Sequence, residues 1–443
     1  MKIDRPMLER GRWSQLSEEA RQAFVTRGGS AFDPKLRDGV LEIVEDVRAN
    51  GDEGLIRAMK KFDNIEINAD DIRVKPKEFE AARKKVSPEL LAAIRDLISH
   101  LRSFNEQLMS HGNWQFESEP GLIVGERVTP IASVGLFVPS GKGSYPSVMA
   151  QLGTPAVVAG VKEIAVIVPP IPGSAGEVDP AVLVVAEELG IKDVFRANGP
   201  AGIAALAFGT DRVPKVRKVM GPGSSPVACA QIEVQRFGTA SVMLLGPSES
   251  LIIADSSTDP YILAADLLNE AEHGPDSSSI LVTDSAELIA AVQVELAKQI
   301  EELPAPRNEY ARKALQNGGV VLTDSIEEAA VVTNHYAPEH MIIATADPHA
   351  VLPLIEDAGE ILLGTNTSVS MGNFVIGCPA ALPTGGFAKV SSGITVEAFL
   401  KKSAIAEATE SAMRRMSETV INFANHEGFP AHAASVARRL NRT

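Results

Sequence analysis

The run Asn269-Glu270-Ala271-Glu272-His273-Gly274-Pro275-Asp276 puts a carboxylate, Glu270, three residues ahead of an imidazole, His273. The apolar segment before it, Tyr261 to Leu268, predicts a helix that Gly274 and Pro275 stop. Residues three apart share a helix face. Glu270 and His273 therefore form half of a site for a divalent metal. Glu339-His340 and His432 lie far away in sequence, and folding could bring them to it, which suggests metal-assisted chemistry. Each feature also has a plainer reading. A Glu-x-x-His pair serves as well on a solvated helix face. Glu339-His340, after Ala337-Pro338, also suits the first turn of a helix, where proline and an acid are favourable. His426 and His432 would by default be surface histidines.

Other chemistries leave weaker marks. The Gly-x-Gly-x-x-Gly fingerprint of dinucleotide folds is absent. Gly221-Pro222-Gly223 comes closest, but Pro226 stands where the third glycine belongs. Lys142 in Ser140-Gly141-Lys142-Gly143 lacks the Walker spacing, so a surface loop or a ligand-covering loop is expected there. No Gly-x-Ser-x-Gly elbow occurs, which disfavours Ser-His hydrolysis.

These residues need a scaffold, and the chain is long enough for one. Its 443 residues imply two or more domains. Apolar residues make up 45% and charged residues 22%, an ordinary globular balance. A formal charge of −15 argues against nucleic-acid binding, which needs clustered Lys and Arg. The start, Met1-Lys2-Ile3-Asp4-Arg5, shows no apolar signal segment, and Lys162 and Glu163 interrupt the longest apolar stretch. A cytoplasmic protein with no membrane span is expected. Cys229 and Cys378 give no disulfide framework, so a metal would be held by His, carboxylate and amide.

The spacing predicts helices over 36–59 and 76–107, then a polar break over 110–120. Beyond it, strands over 131–138, 164–168 and 193–197 alternate with helices over 148–159, 180–189 and 203–208. The alternation recurs with strands over 250–254, 279–283 and 320–322 and helices over 261–272 and 286–302. Such alternation implies parallel βαβ units, so the fold class is α/β with two such units. The tail from Thr395 reads as mostly helical.

Several segments resemble histidinol dehydrogenase. Val134-Gly135-Leu136-Phe137-Val138-Pro139 is similar to its Val-Gly-Leu-Tyr-Val-Pro, and Val158 to Ile164 matches its Val-Ala-Gly-Val-Lys-Glu-Ile. Gly246-Pro247-Ser248-Glu249, Ala271 to Asp276, Ala337-Pro338-Glu339-His340 and Leu382-Pro383-Thr384-Gly385 resemble further segments, and Glu427-Gly428 and His432 fall at the family's spacing. The matches run in order along the chain.

The resemblance implies two incomplete Rossmann-like domains with helical ends. A helical extension would cover 1–32. The first α/β domain, with the metal and catalytic residues, would take 33–136 and 248–394, and the cofactor-side domain 137–247. The tail, 395–443, would cross to a partner and complete its site in a homodimer. The family's zinc ligands Gln, His, Asp and His fall on Glu270, His273, Asn373 and His432, so two exchanges preserve the ligand charge. Its water-activating Glu and proton-accepting His fall on Glu339 and His340. On the substrate side stand Ser248, Glu427 and Ala380, the last replacing a family His. On the NAD side stand Phe137, Ala201 and Ser224, replacing Tyr, Gln and Asn. Ala380 argues for a substrate other than histidinol. The expectation is a zinc-dependent, NAD- or NADP-linked oxidation of a small polar alcohol, with possible continuation to the acid. The alternatives are a non-redox metal- or ligand-binding homologue and a zinc hydrolase.

Overall fold

The alternating apolar runs and helices fold into two parallel sheets. The computed structural model describes residues 5–27, 33–109, 112–140, 143–242 and 246–441. Lys142, and with it Gly141, lies outside the described residues. The strands are β1 (Glu9–Arg12), β2 (Trp114–Glu119), β3 (Leu122–Pro130), β4 (Ser133–Phe137), β5 (Glu163–Val168), β6 (Asp193–Arg196), β7 (Lys218–Met220), β8 (Ala240–Ser241), β9 (Glu249–Ala254), β10 (Ser278–Thr283), β11 (Gly319–Leu322), β12 (His340–Ala344), β13 (Glu360–Leu363) and β14 (Leu400–Ala408).

The chain divides into two units. The first comprises Met1–Glu106 and Ile131–Phe399, the second Gln107–Pro130 and Leu400–Thr443. The first unit holds both parallel sheets. One has five strands in the order β6-β5-β4-β7-β8, the other six in the order β1-β11-β10-β9-β12-β13. Strands covered on both faces need unbroken apolar runs rather than alternation. β9 and β12 are buried at every residue.

Side chains of successive strand residues point to opposite faces. Ile252, Leu281 and Ile342 accordingly pack under Leu263, Leu267 and Leu296. Leu251, Ile253 and Met341 pack on the other face, with Trp13, Phe24 and Tyr336. Around the five-stranded sheet, Ile167, Phe195 and Val219 meet Val40, Val44 and Val47 of the helix Pro34–Asn50. Helix starts follow Asp-Pro: Asp179 caps the helix Pro180–Glu188 and Asp259 caps the helix Pro260–Ala271 through their side-chain oxygens.

Each sheet has a switch point, where the chain leaves its first strand in one direction and later returns on the other side. It falls between β4 and β7 in one sheet and between β9 and β12 in the other.

Three boundaries differ from the sequence expectation. Residues 34–50 and β4 belong with the five-stranded sheet, because the valines of that helix pack on its face. β1 adds an edge strand to the six-stranded sheet ahead of the helix Glu18–Val25, so the N-terminal extension is not purely helical. After one short 3-10 turn, Val396–Phe399, the tail continues as a strand and not as an α-helix. β14 pairs antiparallel with β3, which pairs with β2, and the helices Glu410–His426 and Pro430–Leu440 follow. β2 and nearly all of β14 are exposed, so neither has the apolar alternation that marks a half-buried strand. No helix among the described residues is long and apolar enough to cross a membrane.

Candidate active site

A cleft of about 500 Å³ in the first unit gathers most of the residues singled out by sequence. Phe137, Ser224, Ser248, Glu270, His273, Glu339, His340, Asn373 and Ala380 all line it.

Its two walls are built differently. One is formed by the C-terminal ends of the five-stranded sheet. Phe137 ends β4, Asn198 follows β6, and Pro222 to Ser225 follow β7. The wall therefore sits at the β4/β7 switch point, where open α/β sheets bind ligands. Gly221 has φ +144°, and a Cβ there would lie 2.1 Å from the carbonyl oxygen of Phe137. Only glycine lets the two strand ends come this close. Three helices begin at this wall, at Pro146, Gly199 and Ser225.

The other wall is formed by the N-terminal ends of the six-stranded sheet. His340 is the first residue of β12, and its neighbour across the ladder is Glu360, the first residue of β13. Side chains of laterally paired residues meet on one face. His340 Nδ1 lies 2.8 Å from Glu360 Oε2, and the Cys378 thiol donates to Glu360 Oε1 at 2.9 Å. His340 Nε2 is 3.9 Å from Glu339 Oε1. The Glu249 amide donates to Glu339 Oε2 at 2.9 Å.

Burial governs the proton affinities here. It pushes the Glu339 carboxyl up to about 8, partly offset by the nearby imidazole. For His340 burial disfavours the charged form, but the hydrogen bond it donates to Glu360 and the surrounding carboxylates outweigh it and raise the imidazole to about 9. The Cys378 thiol is pushed up to about 12, first by burial and then by Glu360. It is a hydrogen-bond donor and not a nucleophile at neutral pH.

Glu270 sits in the last turn of the helix Pro260–Ala271, and His273 follows its end. Glu270 Oε2 is 3.4 Å from His273 Nδ1, which also lies 3.1 Å from the carbonyl oxygen of Asn269. A proton on Nδ1 satisfies that carbonyl and leaves the Nε2 lone pair for a metal. Glu270 Oε1 is buried with no hydrogen-bond partner. A buried carboxylate oxygen without a donor is costly unless a cation completes it. The donor set, carboxylate and imidazole with the Asn373 amide on the same cleft, fits zinc. Among the described residues no group of three or more His, Cys, Asp or Glu is arranged around a metal position. Of the four expected ligands, Glu270, His273 and Asn373 are in the first unit and His432 is in the second.

Glu427 and His432 are in the second unit, and one assigned residue of the first unit is away from the cleft. Ala201 is 2% exposed and packs in the core around the five-stranded sheet, within a helix buried along nearly its whole length, so it does not line the cleft. Glu360, Cys378 and Gln151 were not singled out. Gln151 spans the walls, accepting from the Ala380 amide at 3.1 Å and donating to the Asn373 carbonyl at 3.5 Å. The one sequence signal for Glu360 was an acidic residue opening an apolar run, Glu360-Ile361-Leu362-Leu363.

The family model for histidinol dehydrogenase matches residues 27–440. A protein of Colwellia psychrerythraea described as a histidinol dehydrogenase homolog is 41% identical, over 96% of this chain and 95% of its own. The histidinol dehydrogenase of Synechocystis is 42% identical, over 90% and 92%. The crystal structure of histidinol dehydrogenase from Elizabethkingia anophelis superposes with a TM-score of 0.91 at 32% identity, covering 98% of both chains.

These relatives correct the expected function. An alcohol dehydrogenase acting on some small alcohol other than histidinol conflicts with near full-length relatives bearing the histidinol dehydrogenase name, and the non-redox and hydrolytic alternatives fall with it. The inference from Ala380 gave one side chain too much weight. The chain there is held by its backbone through Gln151, in a cleft that has many other polar groups. Zinc and NAD, the expected cofactors, are those of the family. With the α/β fold, the cleft and the match running almost end to end, the chain belongs to the histidinol dehydrogenase family.

Proposed function

We propose that this protein oxidises histidinol to histidine with NAD. The observation that carries this reading is the buried Glu339-His340 step, with Glu360 behind it, facing the Pro222–Ser225 wall across one cleft. Overall, one alcohol, two NAD and one water give one carboxylate, two NADH and three protons.

Glu270, His273 and Asn373 would hold zinc, with His432 as the fourth ligand. When bound, zinc polarises the carbinol oxygen and NAD accepts a hydride. The chain's own residues handle protons. In its neutral form, the one favoured above about pH 9, His340 takes the hydroxyl proton through Nε2, while Glu360 holds Nδ1 and stabilises the cation that forms. Glu339, with its carboxyl raised to about 8, is suited in its ionised form to deprotonate water for the second oxidation. Ser248 and Glu427 are assigned to substrate. Phe137 and Ser224 are assigned to the cofactor, and Ala201 supports that wall from the core.

The assembly inferred is a homodimer whose tail completes the partner's site. The second unit supports this with exposed Trp114, Phe116, Phe423 and Phe429 on a small sheet and two amphipathic helices. The two free cysteines suit the cytoplasm.

The test is NADH formation by zinc-loaded protein with L-histidinol. Two NADH per histidinol are expected. No NADH above background would overturn the reading. Mixing His432→Ala with Glu270→Ala chains under subunit exchange should restore activity, because one site of the mixed dimer then carries neither lesion. Mixtures that exchange yet stay inactive would remove the trans-completed site.

A further inference from the structure

The Glu339-His340 step is reached through an unfavourable turn. The helix Ile326–Tyr336 ends immediately before it, at Ala337, which adopts φ 55° and ψ 70°. This left-handed conformation disfavours any residue with a Cβ. The ends of helices also leave carbonyl oxygens without intrahelical donors. Pro338 follows and cannot continue the helix. Something must hold this turn, because it aims both reacting side chains.

Arg27, from the far N-terminal part of the chain, sits on it. Its Nη2 donates to the carbonyl oxygens of Tyr336 at 2.7 Å and Ala337 at 3.0 Å. The guanidinium lies over the Tyr336 ring, 3.4 Å from the ring centroid. It also forms a two-point pair with Glu249, Nε to Oε1 at 2.9 Å and Nη2 to Oε2 at 3.1 Å. Both side chains are largely withdrawn from water, at 14% and 5% exposure.

Glu249 connects this cation to the cleft. Its backbone amide is the donor that holds Glu339 Oε2. Its Oε1 accepts from the Gly385 amide at 3.0 Å, next to Thr384 in the cleft lining. Arg27 thus grips the main chain two residues ahead of Glu339 and also the residue whose amide fixes the Glu339 carboxylate. A cation is the right group for this place, since the C-terminal end of a helix carries partial negative charge. Only a planar fork reaches two carbonyls and a carboxylate at once.

We propose that Arg27 is a positioning residue for the Glu339-His340 pair, clamping the Ala337 turn and Glu249 so that both side chains face the cleft. This rests on the catalytic assignment of that pair.

The experiment compares wild type with Arg27→Lys and Arg27→Ala as zinc-loaded full-length protein. First, hydrogen exchange of the 336–341 amides needs no activity. It should speed up at least tenfold in both variants, while amides of β10 stay protected. Unchanged exchange in this segment overturns the clamp. Second, kcat with histidinol should fall on the order of tenfold to a hundredfold, as expected when reacting groups shift by about 1 Å. KM for NAD should stay within about twofold. Added guanidinium should restore part of the kcat of Arg27→Ala but leave Arg27→Lys unchanged. Full kcat per folded molecule in both variants would mean Arg27 only stabilises the fold, and would overturn the proposal. If wild type itself forms no NADH, the catalytic reading fails, while the exchange result still decides the clamp.

Discussion

The two parallel sheets of the first unit meet the cleft with opposite ends. The five-stranded sheet offers its C-terminal edge, the six-stranded sheet its N-terminal edge. Helices in such sheets run back against the strands. Helix N-termini, at Pro146, Gly199 and Ser225, therefore point into the cleft from one wall, and the C-terminal end of the helix Pro260–Ala271 from the other. The first wall carries partial positive charge and suits the phosphates of a dinucleotide. The second carries partial negative charge, reinforced by Glu270, Glu339 and Glu360, and suits cations: zinc, a protonated imidazole, the Arg27 guanidinium. In the proposed function, one architecture used in two polarities separates binding by backbone from chemistry by side chains.

The largest expected effect breaks the chemical wall alone. His340→Asn should lower kcat by roughly 10²–10⁴, the usual cost of losing a general base. NADH binding, read by fluorescence titration, should not change. A parallel loss of both would mean the walls are not separate in function.

Glu360→Gln should act more mildly and in a stated direction. The Glu360 carboxylate favours the protonated imidazole, so its removal lowers the proton affinity of His340. The acid limb of the pH–kcat profile should then move to lower pH. A limb that stays in place would detach Glu360 from His340.

On the opposite wall, Gly221→Ala places a methyl against the Phe137 carbonyl and should part the ends of β4 and β7. KM for NAD should rise on the order of tenfold, with zinc content unaltered by metal analysis. Loss of zinc with NAD affinity intact would reverse the assignment of the walls.

The smallest effect concerns stability. Asp266, on the helix that carries Glu270, has its carboxyl raised to about 6 by burial. An acid raised above its unfolded value of 3.8 is protonated longer in the fold than in the unfolded chain. The fold therefore loses stability as pH rises from about 4 through about 6, and the loss persists above that. Asp266→Asn should raise the melting temperature at pH 7.5 and leave it nearly unchanged at pH 4. The same increment at both pH values would show that ionisation of Asp266 is not the cause.

The local parts of this site were legible in the sequence. Glu270 and His273 are three residues apart on one helix end, and Gly274-Pro275 marked that end. The alternation of apolar runs and helices announced the α/β sheets, because buried parallel strands leave continuous apolar runs. Glu360 was hidden because its tie to His340 exists only through the register of β12 and β13. Gly221-Pro222-Gly223 showed only an incomplete fingerprint, since a switch point is a property of strand order and not of any short stretch. Arg27 acts on residues more than 300 positions away and carries no motif. β2 and β14 escaped notice because nearly all their residues face water. Ala201, aligned with a cofactor residue, is buried in the core, and alignment alone carries no information on burial.

The central claim is that an alcohol held at the catalytic wall passes its hydride directly to a nicotinamide at the opposite wall. Histidinol deuterated at its carbinol carbon, turned over by zinc-loaded protein with NAD, tests it most directly. The account predicts deuterium at C4 of the reduced nicotinamide and none in the water. Deuterium released to solvent, or product formed with no reduced NAD, would contradict it.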